Sequence, residues 1–159
     1  MPTKEVFTKE KMKEVKGDLW DYHKQGNWVV ITTNGTVRKD GACVMGRGVA
    51  LQAKTKFPKL AYELGDLLEA HGNKLFMFGV YKILTLPVKH QWFEVADLNL
   101  IEQGLKELAT VREDSGGLIS GTIYLVRPGC SNGKRDWETE VKPLCEKYLD
   151  DSFVIVEIK

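Results

Sequence analysis

Long apolar runs are missing from this chain: none approaches the ~20 residues that span a bilayer, so no membrane-crossing helix is expected. The lysines near the start are followed by no apolar segment, so the N-terminus does not read as a secretory signal. Cysteine is scarce. Cys43, Cys130 and Cys145 form no CxxC pair and their odd number leaves at least one unpaired, which points to a reducing, cytoplasmic setting without structural disulfides. Histidine is scarce too, and His23, His71 and His90 lack metal-ligand spacing, so no metal site is expected. There is no excess of one charge. The formal net charge is +1, which excludes a general affinity for nucleic acid or membrane and requires any basic site to be local. Repeats, low-complexity segments and linkers are also absent, so residues 1–159 read as one domain.

What is present suffices for a core: 43% of residues are hydrophobic and 28% charged, a folded balance. Residues 1–11 are polar, a loose end or a short edge strand around Val6-Phe7. Met12 to Lys16 alternates as a strand closed by Gly17-Asp18, and Leu19 to His23 makes a helical turn. After the Gly26-Asn27 turn, the run from Trp28 to Ile31 starts a buried strand over 28–33, with a loop over 34–45. Val49, Leu51, Ala53 and Phe57 suit a helix over 46–57. A second helix over 59–71, beyond Pro58, buries Leu60, Leu64, Leu67 and Leu68. Strands follow at 74–79 and 81–87, the second ended by Pro87. Leu98, Ile101, Leu105 and Leu108 predict a helix over 94–110, and residues 112–121 a polar loop. Thr122 to Val126 is a buried strand, Trp137 to Leu149 a helix that kinks or restarts near Pro143, and Phe153 to Ile158 the closing strand. Strands alternating with helices predict an α/β fold, a three-layer α/β/α sandwich.

Two strands exit into loops that carry glycine and then enter helices. One contains Met45-Gly46-Arg47-Gly48-Val49-Ala50, the other Arg127-Pro128-Gly129-Cys130-Ser131-Asn132-Gly133. The first fails as a dinucleotide fingerprint, because Leu51 stands at the third glycine and about a dozen residues separate strand from loop. The second fails as an ATP-binding loop, because Arg135 follows Lys134 where Ser or Thr should stand. What remains is a pair of amide-lined loops, which hold an anion if both face one crevice at the strand ends and are ordinary turns if they do not.

The set Val15-Lys16-Gly17-Asp18-Leu19, Asn34, Met45 to Ala50 and Arg127 to Gly133, in this order over about residues 12–158, resembles the macro domain family. The resemblance implies a mixed, roughly six-stranded sheet between helices and a cleft for ADP-ribose across the strand ends. It implies that Asp18 accepts from the adenine amino group with the Leu19 backbone beside the ring, and that Asn34 hydrogen-bonds the distal ribose. The backbone of Gly46, Arg47, Gly48 and Val49, and that of Gly129, Cys130, Ser131, Asn132 and Gly133, would wrap the diphosphate and distal ribose. The milder alternatives are that Asp18 caps the turn at 19–23 and that Asn34, before Gly35, is a turn residue. Phe153 is expected in the core rather than on the adenine.

Leu86-Pro87-Val88-Lys89-His90-Gln91-Trp92 resembles the branch that includes the DNA ADP-ribosyl glycohydrolase antitoxins and the terminal ADP-ribose protein glycohydrolase. In that branch a lysine at the position of Lys89 serves catalysis at the anomeric carbon; otherwise Lys89 is a solvated loop lysine. The chain departs from the protein glycohydrolase, which has an aspartate where Gly133 stands. Asp136, just before Trp137, is expected to cap the last helix. Thr-Thr-Asn and Gly-Arg-Gly replace the Asn-Ala-Ala-Asn and triple glycine of another hydrolase branch, whose mechanism is therefore not transferred. The expected function is removal of ADP-ribose from a modified nucleic acid or protein, with Lys89 catalytic, no metal, and ADP-ribose as ligand or product rather than cofactor. The alternatives are dephosphorylation of ADP-ribose 1''-phosphate and non-catalytic reading or scavenging of ADP-ribose. Arg47, Lys54, Lys56, Lys89, His90, Arg127, Lys134 and Arg135, interleaved with Trp92 and Trp137, make DNA a candidate partner.

Overall fold

The computed structural model describes residues 10–158, so the segment around Val6-Phe7 lies outside the described residues. The chain runs β1 (Lys13–Gly17), α1 (Leu19–Lys24), β2 (Val29–Asn34), α2 (Gly48–Lys56), α3 (Leu60–His71), β3 (Phe76–Phe78), β4 (Ile83–Lys89) and α4 (Leu98–Asp114). It continues through β5 (Ile123–Val126), a π-helical turn (Trp137–Val141), α5 (Lys142–Tyr148) and β6 (Phe153–Ile158). The six strands form one sheet in the order β1-β6-β5-β2-β4-β3. All neighbours pair in parallel except β3, which runs antiparallel to β4. The mixed six-stranded α/β sheet is as expected.

Parallel central strands are covered on both faces, which is why β2 and β4 read as nearly unbroken apolar runs. Alternate residues feed two cores. Val30, Leu84, Leu86, Leu125 and Ile155 pack under α4 and α5. Val29, Ile31, Ile83, Val126 and Val156 pack under α1, α2 and α3. A fully buried Leu or Ile stabilises by about 1.5–3 kcal/mol, so these two layers fix the strand ends that carry the site. Close approaches refine the placement. Gly104 lets α4 settle on Leu86, and Gly65 lets α3 meet the Gly41 carbonyl, which seats the loop after β2. Among the described residues, no helix is long and apolar enough to cross a membrane.

Several expected boundaries moved. β4 passes through Pro87 and ends at Lys89. β3 pairs only as far as Thr85, and the β2–β4 register shifts after Thr33↔Pro87, so the proline sits where one edge is open and the ladder already bulges. α4 begins at Leu98, not 94, because Asp97 caps it through Asn99 N–H (2.8 Å) and Leu100 N–H (3.3 Å), and it runs on to Asp114 through residues read as loop. The last helix does break at Pro143: a π-helical turn precedes it and Pro143 occupies the first turn of α5.

Candidate functional site

Four parallel strands end at one cleft of about 860 Å³. Asn34 closes β2, Lys89 closes β4, Arg127 follows β5 and Ile158 ends β6, and all four line it. This is where an open α/β sheet places a ligand crevice. The first wall is the loop entering α2. Arg47 occupies the N-cap position without a side-chain cap, and Gly48 opens the helix at φ +57°, a left-handed conformation that favours glycine. Among the described residues, nothing accepts from the backbone N–H groups of Gly46, Arg47, Gly48 or Val49. They are free donors at the positive end of α2.

The second wall is the loop after β5. Pro128 and Gly129 (φ +71°) fit the central positions of a type II turn, closed by Cys130 N–H to the Arg127 carbonyl (3.4 Å). A second turn runs from the Ser131 carbonyl to Lys134 N–H (3.1 Å), leaving the amides of Ser131, Asn132 and Gly133 without acceptors among the described residues. Ala96 is the post around which this loop bends. A Cβ on Gly129 would stand 2.9 Å from Ala96 Cβ, and one on Gly133 would stand 2.8 Å from it and 2.5 Å from the Gly129 carbonyl oxygen. Gly133 is thus packed shut, its carbonyl taken by Ala96 N–H (3.0 Å), and a carboxylate side chain has no room there. Asp136 does cap the following turn, accepting from Thr139 N–H (2.8 Å). The two walls nearly touch: a Cβ on Gly48 would lie 3.5 Å from Asn132 Nδ2.

Lys89 sits where the walls meet. Its Nζ donates to the Trp92 carbonyl (3.1 Å) and to the Asn132 carbonyl (3.2 Å). Its own carbonyl receives Gly35 N–H (3.1 Å) and Asn73 Nδ2 (2.9 Å), so the backbone is held from the opposite side. Partial burial, then the charges of Arg47 and Lys134, hold the Lys89 pKa below the ordinary lysine value. Two carbonyls leave one position on the nitrogen, for a third proton in the ammonium or for the lone pair in the neutral amine. Cys130 offers no competing nucleophile: burial pushes its thiol up to about 11.

Asn34 ties down the first loop. Its Oδ1 accepts from Thr36 N–H (3.0 Å) and its Nδ2 donates to the Val44 carbonyl (2.9 Å), so the turn role is present, and one amide hydrogen is left for a ligand. Asp18 lies outside the main cleft. It caps α1 through Trp20 N–H (2.9 Å) and, with Leu19, lines a smaller pocket of about 260 Å³ that shares Val49, Val126 and Ile158 with the cleft. The basic cluster is smaller than the sequence implied. Lys54, Lys56 and His90 do not line the cleft; Lys56 lies over the Trp20 ring and His90 pairs with Asp97 (2.8 Å). Arg127 is paired with Glu14 and Glu157, and Arg135 with Glu140. Arg47, Lys89 and Lys134 remain as cleft cations without a carboxylate partner among the described residues. Among the described residues no group of His, Cys, Asp and Glu could hold a metal ion.

The macrodomain of Mycobacterium tuberculosis DarG superposes with a TM-score of 0.72 at 24% identity, covering 92% of this chain and 97% of that one. The macrodomain of Thermus aquaticus DarG gives 0.69 at 26% identity, covering 91% and 96%. The chain has the fold of these macrodomains. Thermosipho africanus DarTG in complex with ADP-ribose gives 0.71 at 20% identity, covering 94% of this chain and 43% of that one. Two curated proteins, the DNA ADP-ribosyl glycohydrolases of Mycobacterium bovis BCG and Mycobacterium tuberculosis H37Rv, are 32% identical over 104 residues. The match takes in 60% of this chain but only 29% of each relative's length. No family model matches the chain.

Several lining positions carry no mark in the sequence. Phe93 and Val95 join Trp92 on the cleft mouth, and Ile158 forms the apolar wall common to the cleft and the smaller pocket. An apolar residue in a loop, or at the end of a buried strand, carries no sequence mark of being exposed. Trp137 borders the cleft too but is core, 5% exposed, with its indole N–H on Glu14 (2.9 Å).

Proposed function

We propose that this chain is a macro domain that binds ADP-ribose and hydrolyses its bond to a DNA base, with Lys89 as the catalytic residue. The observation that carries the reading is the Lys89 amine, held by two carbonyls where the amide-lined walls converge, beside two cations that favour its neutral form. The free amides of 46–49 and 131–133 suit the diphosphate, and the remaining Asn34 amide hydrogen suits the distal ribose. The smaller pocket suits the adenine. Asp18 would accept its amino group, with the Leu19 backbone beside the ring and Val49 and Ile158 against its faces. A cleft of about 860 Å³ suits a ligand of this size.

In the proposed reaction the neutral amine attacks the anomeric carbon and the bond from that carbon to the base breaks. The base leaves with the bonding pair and takes a proton from solvent. Water then displaces the amine, releasing ADP-ribose and restoring Lys89. The similarity to DNA ADP-ribosyl glycohydrolases favours DNA as the acceptor. A reducing, cytoplasmic compartment suits three free thiols.

One observation favours a non-catalytic reader: the two Lys89 hydrogen bonds also staple the Trp92 and Asn132 loops together. Release assays separate the readings. Thymidine-linked ADP-ribose should be cleaved, with Glu-linked ADP-ribose cleaved more slowly. Binding without release from either makes the protein a reader, and free phosphate from ADP-ribose 1''-phosphate makes it a phosphatase.

A further inference from the structure

The residues that follow Lys89 are apolar and unusually open. Trp92 is 52% exposed and Phe93 68%, and Val95 beside them is exposed as well. The two rings meet edge to face, centroids 5.7 Å apart at 90°. Neither belongs to a core cluster, yet both line the cleft mouth. Their backbone is fixed. Trp92 N–H donates to Thr36 Oγ1 (3.0 Å), which itself donates to Gln91 Oε1 (2.7 Å), and the Trp92 carbonyl accepts from the Lys89 amine. The aromatic pair is therefore set at a fixed offset from the nitrogen that would face the anomeric carbon. The exposed side chains of Arg47 and Lys134 supply positive charge on the same mouth.

We infer that Trp92, backed edge-on by Phe93, is a stacking platform for the modified base, and that it sets the preference of the site for nucleobase over amino-acid acceptors. This rests on the eraser reading of the cleft. A base attached to the anomeric carbon extends from Lys89 toward the mouth. There it meets a flat indole face, while the flanking phosphates face Arg47 and Lys134. A glutamate acceptor is negatively charged when free but neutral as an ester, and offers no ring to stack. Stacked bases are worth a factor of about 5 to 150 in affinity.

The test uses the full chain carrying Lys89→Arg, which can still bridge the Trp92 and Asn132 carbonyls, so that binding is read without turnover. Affinity for an ADP-ribosylated single-stranded oligonucleotide and for free ADP-ribose is measured with and without Trp92→Ala. The inference expects at least a fivefold loss for the oligonucleotide, an ADP-ribose affinity unchanged within twofold, and recovery of most of the loss with Trp92→Phe. Equal losses for both ligands would make Trp92 a mere support of the loop and overturn it. So would an unchanged oligonucleotide affinity, or tighter binding of an ADP-ribosylated peptide that Trp92→Ala alone weakens. Failure of the eraser reading shows separately, as wild-type protein that binds the oligonucleotide through Trp92 but releases no ADP-ribose; that result leaves the platform standing as a reader's device.

Discussion

Gly133→Ala probes how the second wall is built. The added Cβ would stand 2.5 Å from the Gly129 carbonyl oxygen and 2.8 Å from both Ala96 Cβ and Gly129 Cα, all inside ordinary contact. Two of these three atoms are backbone, so the strain is relieved only by moving the loop. Overpacking of this kind costs about 1–3 kcal/mol. At this chain length 1 kcal/mol shifts the melting temperature by roughly 2–4 °C, so a loss of about 2–12 °C is expected. Displacing the loop also withdraws the Ser131 and Asn132 amides. Losing one hydrogen bond to a charged phosphate, about 1.5–3 kcal/mol, weakens ADP-ribose binding by about tenfold or more. Adding Ala96→Gly removes one of the clashes but leaves the Gly129 oxygen, so little is rescued. Differential scanning fluorimetry and calorimetry read both quantities. A Gly133→Ala protein that melts within 1 °C of wild type and binds ADP-ribose equally well would refute this account of the loop.

Further outcomes follow from the same geometry. If the neutral Lys89 amine is the nucleophile, the rate rises with pH through its lowered pKa. Removing a positive neighbour, by Arg47→Ala or Lys134→Ala, raises that pKa and moves the rising limb of the pH–rate profile to higher pH; an unmoved limb would exclude the amine as the titrating group. Asn34→Ala should lower stability by about 1–3 kcal/mol, because it strands Thr36 N–H and the Val44 carbonyl, and thermal melts of the ligand-free protein check this. Burial raises the Glu14 pKa, but hydrogen bonds from Lys142 and Trp137 and the charges of Lys142 and Arg127 outweigh it, so the carboxyl titrates below its ordinary 4.5. Its stabilising contribution is complete above that pH and is lost as the pH falls through the depressed value; Glu14→Gln should therefore flatten the acid limb of melting temperature against pH. ADP-ribose should raise the melting temperature more than equal concentrations of ADP or AMP, since only a ligand that fills both pockets gains all the contacts.

Much of this molecule was legible because its signals are local. The run Trp28-Val29-Val30-Ile31 reads as buried strand, and the structure buries all four. The glycine loops after β2 and β5 announce turns, and the kink at Pro143 follows from a missing N–H. The reach of β4 through Pro87 was not legible, because whether a proline ends a strand depends on where its neighbour β3 stops. Lys54 and Lys56 looked like cleft cations because they are near in sequence, but α2 carries them away from its own N-terminus. The exposure of Trp92 and Phe93 and the closed packing of Gly133 against Ala96 are tertiary facts, set by residues far along the chain.

The central claim is that Lys89 does chemistry rather than stapling two loops. Single-turnover release of ADP-ribose from a modified oligonucleotide, measured together with binding of the same oligonucleotide, tests it most directly in wild type, Lys89→Ala and Lys89→Arg. The account predicts that both variants bind within a few-fold of wild type and release no ADP-ribose, since arginine can still bridge two carbonyls but stays protonated. Release by Lys89→Arg at the wild-type rate would contradict it and leave Lys89 as a strut.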